Sequence, residues 1–145
     1  MEVNWQNVLP LLAAVILGGA IGYERRVHDK SAGLRTNILI CLGSCVFTMI
    51  STNLVGSEPG RIAAQIVTGI GFLGAGAIIQ SGGSVHGLTT AAGIWIVAAI
   101  GMACGTRMYL LAVLATVLTL IVLLLLPPLE KKIGKEHQNI ESKNQ

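Results

Sequence analysis

The sequence predicts an all-α membrane protein, a bundle of five transmembrane helices with the N-terminus outside and the C-terminus cytoplasmic. Two observations set the class. Of its 145 residues, 52% are hydrophobic and only 12% charged, against about 25% charged in a globular domain. Between Arg61 and Glu130 the only Lys, Arg, Asp or Glu is Arg107, far too little charge to cover a soluble surface. A third, the distribution of basic residues, sets the orientation.

The apolar runs are each close to the roughly 20 residues a helix needs to cross about 30 Å of hydrocarbon. They fall at Val8–Tyr23, Arg35–Val55, Arg61–Gln80, Leu88–Cys104 and Met108–Leu126. Helices are required because lipid cannot satisfy open backbone groups, and the alternation of a membrane barrel is absent. Trp5 reads as an interfacial anchor of the first span. "MEVNWQN" is acidic where a signal peptide would be basic. "GSEPG" (56–60), "QSGGSVHG" (80–87) and "GTR" (105–107) read as turn-like breaks, and Pro127 and Pro128 as the stop of the last span. Residues 1–128 form the membrane domain. Residues 129–145 are a polar tail too short to bury a core of its own.

Orientation follows from basic residues, which gather on the cytoplasmic side. The first connection and the tail hold Arg25, Arg26, Lys30, Arg35, Lys131, Lys132, Lys135 and Lys143, whereas the opposite side holds only Arg61 and Arg107. The same asymmetry accounts for a pI near 9.0 without a nucleic-acid partner.

"GIGFLGAG" (69–76) has the Gly-x-Gly-x-x-Gly spacing of a dinucleotide site at Gly69, Gly71 and Gly74. That fingerprint needs a preceding strand and an acidic residue about 20 positions on, yet no Asp or Glu lies between Glu58 and Glu130. A Walker loop fails because Ala77 follows Gly76 where Lys belongs. No cofactor is expected. Close helix packing explains the glycines better, since helices in lipid associate through small residues. Gly18 with Gly22 and Gly101 with Gly105 form two GxxxG pairs. Gly69, Gly71, Gly74 and Gly76 make the third span thin enough for the centre of the bundle, either continuous or broken.

Polar groups inside a membrane are candidate sites. On the cytoplasmic side lie Glu24, Arg25, Arg35, Thr36, Asn37, Gln80, His86, Thr89 and Thr90; towards the outside lie Asn53, Glu58, Arg61, Gln65 and, one turn deeper, Thr68. Glu24 with Arg35 reads either as a pair tying two helix ends or as a shared charged site. Arg61 can snorkel outward, and Thr89 and Thr90 can cap the fourth span. Cys41, Cys45 and Cys104 read as small packing residues. None of the seven acids lies mid-membrane, so a dedicated magnesium path, which would use carboxylate oxygens, is poorly supported; whether a metal binds elsewhere stays open. No nucleophile, base and oxyanion set is present, so an enzyme is not expected.

"GGAIGYERRVHDKSAGLRTNILICLGS" (18–44), "GRIAAQIVTGIGFLGAGAII" (60–79) and "GLTTAAGIW" (87–95) together resemble the signature blocks of the MgtC/SapB family of bacterial inner-membrane proteins. The motifs land on Glu24, Arg25, Ala32, Gly33, Leu34, Arg35 and Thr36, then on Arg61, Gln65, Gly69, Gly71, Gly74 and Gly76, and last on Gly87, Leu88 and Thr90. The resemblance implies adaptation to low magnesium, acid or life in host cells, through contacts with other membrane proteins, the ATP synthase among them. Two departures stand out: Thr89 replaces an Asn of the virulence-type members, and their cytoplasmic domain has no counterpart in the short tail. The implied partners are the bilayer, other membrane proteins and further copies of the chain, since its GxxxG faces exceed what one small bundle needs. The leading site is Glu24, Arg25, Arg35 and Thr89. The alternative is a transporter or channel for magnesium or another small solute, lined by Arg61, Gln65, Thr68 and Asn37.

Overall fold

The computed structural model describes residues 5–53, 58–81 and 84–141. Five helices run in chain order, α1 (Trp5–Val27), α2 (Leu34–Asn53), α3 (Pro59–Gly76), α4 (Leu88–Gly105) and α5 (Tyr109–Glu141). Four stretches, Asn7–Val27, Leu34–Asn53, Leu88–Gly105 and Tyr109–Leu129, are long and apolar enough to cross a bilayer. α3 is not among them, because its glycines, Arg61 and Gln65 dilute its apolar content. The chain is a multi-pass membrane protein.

The GxxxG pairs show how the bundle closes. Both grip α2, along one stripe of residues that meets at Cys41. On α1, a β-carbon at Gly18 would stand 2.6 Å from Cys41 Cβ, and one at Gly22 would stand 2.8 Å from Leu34 Cα. On α4, a β-carbon at Gly101 would overlap the Cys41 carbonyl oxygen, and one at Gly105 would stand 2.7 Å from Thr48 Cβ. Real β-carbons do not approach that closely, so these backbones meet only because the side chains are absent. Cys41, Cys45 and Cys104 are buried free thiols in this contact zone. The hydroxyls of Thr48 and Thr116 donate to carbonyls four residues back, Ser44 and Ala112, both at 2.8 Å, so burial leaves neither unsatisfied.

The centre of the bundle belongs to α4, not to α3. α4 packs against every other helix, and its buried residues Gly93, Ala98, Gly101, Ala103, Cys104 and Gly105 form a small-residue surface on several sides. α3 is continuous and sits at the edge, against α4 and α2. Among the glycines of its "GIGFLGAG" stretch only Gly74 meets a neighbour, Ala91 Cβ at 3.7 Å; Gly69, Gly71 and Gly76 have nothing within 4 Å of where a β-carbon would be. The expectation of a central third helix is thereby overturned. Thinness permits close approach, but a helix stripped of side chains also offers few atoms for dispersion contacts, and α4 supplies both.

Two local expectations also change. The break before α4 is an antiparallel hairpin, β1 (Ile79–Ser81) with β2 (Ser84–His86), Ile79 facing His86. The cap of α4 is Gly87, at φ 90°, with no side-chain capping bond, so Thr89 and Thr90 belong to the first turn and do not cap it. A β-carbon at Gly87 would overlap the Ala77 carbonyl oxygen. Gly87→Ala is expected to cost about 2 kcal/mol from the left-handed backbone and the crowding together, read as a lower midpoint of denaturant unfolding in detergent.

Pro127 and Pro128 do not end α5, which continues to Glu141. Each proline removes one backbone bond, and neighbouring helical bonds carry the helix through. The apolar part still ends at Leu129. The expected end of the second span at Val55 lies outside the described residues, as do the side chains of Gln80, Lys131, Lys132, Lys135 and Lys143.

Candidate functional site

The end of α1, the loop after it and the start of α2 hold a cluster of charge, Glu24, Arg25, Arg26, Asp29, Lys30 and Arg35. Glu24 and Arg25, 6% and 5% exposed, are neighbours in sequence and pair with each other. Arg25 Nη2 donates to Glu24 Oε1 at 2.7 Å, and Arg25 Nε donates to Oε2 in a fork. His28 Nδ1 stands 3.1 Å from the same carboxylate. One of the two readings the sequence leaves open ties Glu24 to Arg35 across the two helix ends. That pairing is not formed. Long, flexible side chains let Glu24 and Arg25 curl together, and the two-point fork rewards it.

Asn37 is 1% exposed. Its Nδ2 donates to the carbonyls of Ala32 at 2.7 Å and Gly33 at 2.8 Å, tying the first turn of α2 to the loop before it. Thr68 is exposed but donates to Ala64 of its own helix at 2.9 Å. Arg61 is exposed in the first turn of α3, and Thr89 in that of α4. The proposed path of Arg61, Gln65, Thr68 and Asn37 is therefore not assembled. Asn37 is enclosed against α1, its Cβ 3.1 Å from where a Gly22 β-carbon would be, while Gln65 opens elsewhere.

What the structure does bring together is Arg35, Thr36 and Gln65. All three line a laterally placed groove of about 970 Å³ between α2 and α3, with Ile94 of α4 at its floor. Its walls are apolar, among them Leu39, Phe47, Ile62, Ile66 and Leu73, and Gly43, Gly69 and Gly76 leave it wide. Ser31, Arg35 and Thr36 stand at the end shared with Gly76 and Ala77; Gln65 stands nearer Phe47 and Ile62. Residues such as Leu39, Phe47 and Ile94 could not be singled out in sequence, because on a membrane helix an apolar side chain marks core, lipid face and groove wall alike. At the opposite end a smaller cavity of about 320 Å³ is lined by Met49, Thr52, Asn53, Gly105, Thr106 and Arg107. Among the described residues no group of three or more His, Cys, Asp or Glu could hold a metal ion.

These elements are those of a known family. Residues 11–132 match the MgtC family. The chain belongs to the MgtC family. It is 48% identical over 125 residues to a protein of Escherichia coli K12 named "Putative magnesium transporter YhiD", covering 80% of this chain and 58% of that one. It is 47% identical over 128 residues to "Protein MgtC" of Salmonella typhimurium LT2, covering 88% and 55%. "Protein MgtC" of Brucella abortus is 49% identical over 120 residues, covering 82% and 50%. This MgtC-family chain thus spans only about half the length of the curated relatives it matches. No solved structure matches it.

Proposed function

We propose that this MgtC-family chain is a non-enzymatic protein of the bacterial inner membrane that adapts the cell to low magnesium, acid or host stress by contacting other membrane proteins. It crosses the membrane five times, α3 included, with its N-terminus outside, its C-terminus cytoplasmic and residues 129–145 as a polar tail. By resemblance, the ATP synthase and further copies of the chain are the partners to test first.

The observation that supports contact is the outer face of α3. Gly60, Ala64, Gly71 and Ala75 are exposed at helical spacing, on the side turned away from the groove, and Gly60 and Gly71 have nothing within 4 Å. Helices in lipid approach one another through such faces. Both GxxxG pairs are used up inside the bundle, so α3 carries the small-residue surface left for a partner. Gly71→Leu is expected to abolish support of growth in low magnesium while leaving the amount and the stability of inserted protein unchanged. Unimpaired growth would remove this face from the function.

The name of the Escherichia coli relative favours magnesium transport as a second reading. The purified protein in sealed vesicles containing a magnesium dye is expected to show the uptake of empty vesicles. Uptake well above that level, lost in Gln65→Ala, would make the groove a pathway.

A further inference from the structure

The groove between α2 and α3 lies on the face of α3 opposite the proposed contact surface, and it has a polar end and an apolar length. From Ile62 to Ala77 it follows fifteen residue steps of helix, about 22 Å at roughly 1.5 Å each. Its volume is about 970 Å³, and extended hydrocarbon chains fit along that length.

Charge at the polar end selects the kind of chain. Arg35 is exposed and makes no hydrogen bond or ion pair among the described residues, with the hydroxyl-bearing Ser31 and Thr36 beside it on the groove lining. Arg26 in the last turn of α1 and Lys30 on the loop after it are exposed, against one exposed acid, Asp29. The other nearby carboxylate, Glu24, is already engaged by Arg25 and His28. The result is an unbalanced positive mouth above an apolar channel, where anionic headgroups are favoured.

We propose that the α2–α3 groove is a binding site for an anionic phospholipid, its acyl chains along Leu39, Phe47, Ile66 and Leu73 and its phosphate on Arg35. The guanidinium fork meets phosphate at two points, and the hydroxyls of Ser31 and Thr36 supply further donors. This assignment stands independently of what binds the outer face of α3.

The test is native mass spectrometry of the full chain from nanodiscs containing equal phosphatidylglycerol and phosphatidylethanolamine. The parent protein is expected to retain phosphatidylglycerol about five- to tenfold over its share of the bilayer. Arg35→Gln should bring retention down to the bulk ratio, and Arg35→Lys should restore part of the preference. Gly69→Phe fills the groove where nothing lies within 4 Å, and should release the lipid at an unchanged unfolding midpoint. Retention without headgroup preference, preference unchanged in Arg35→Gln, or lipid still held by Gly69→Phe would each overturn the proposal. So would a photocrosslinker at Gly43 that captures a protein helix in place of lipid.

Discussion

Gly101→Leu is expected to abolish folding of the bundle, leaving little monodisperse protein after detergent extraction. A β-carbon at this position would overlap the Cys41 carbonyl oxygen and stand 2.9 Å from Ser44 Cβ. Backbone cannot swing aside as a flexible side chain can. Gly18 of α1 meets α2 at the same residue, Cys41, so a shift of α2 there disturbs a second close contact. Overpacking in a core costs about 1–3 kcal/mol and sometimes more; here the crowding is against main chain, and the larger figure is expected even for Gly101→Ala. Gly43→Ala is the control. Nothing lies within 4 Å of its β-carbon position, so the better helix former should leave stability unchanged or raise it by up to about 1 kcal/mol. The midpoint of unfolding in denaturing detergent reads both. If Gly101→Ala and Gly43→Ala unfold alike, α4 does not grip α2 in this way.

Arg25→Met is expected to cost about 3–5 kcal/mol, the usual consequence of leaving one buried charge without its partner. Glu24 would keep only His28 beside it, a half-exposed side chain. The double variant Glu24→Gln with Arg25→Met removes both charges together. It should recover most of the loss, because a buried ion pair replaced as a unit is close to neutral. A thermodynamic cycle over the two single variants and the double, measured by the same unfolding titration, separates the outcomes. Two single variants whose effects simply add would show that Glu24 and Arg25 do not act on each other. A structural role for the pair also predicts that Arg35→Gln, which touches neither residue, leaves the unfolding midpoint where it was.

Some features are readable from residue types alone because their physics is local. Gly18 with Gly22 and Gly101 with Gly105 stand out as sites of close approach, since four-residue spacing places two small residues on one helix face. The Gly-x-Gly-x-x-Gly of residues 69–76 could be separated from a nucleotide site by the missing strand and acid. Other features resisted. Arg35 is visible as a costly charge, but whether it meets Glu24 or an open groove depends on torsions that spacing does not constrain. The same applies to Gln65 and Asn37, alike in sequence as polar groups near helix ends. One lines the groove and the other is sealed between α1 and α2.

The sequence by itself determined that this is a helical, multi-pass membrane protein of the MgtC family, because scarcity of charge, span length and motif blocks are properties of the chain in order. Only the tertiary structure decided which glycines are in contact and which are free, that α4 and not α3 is central, and that Arg35, Thr36 and Gln65 share one groove. The reason is that a missing side chain reads the same whether a neighbouring backbone or open space replaces it. Which of the two occurs is set by how all five helices pack at once.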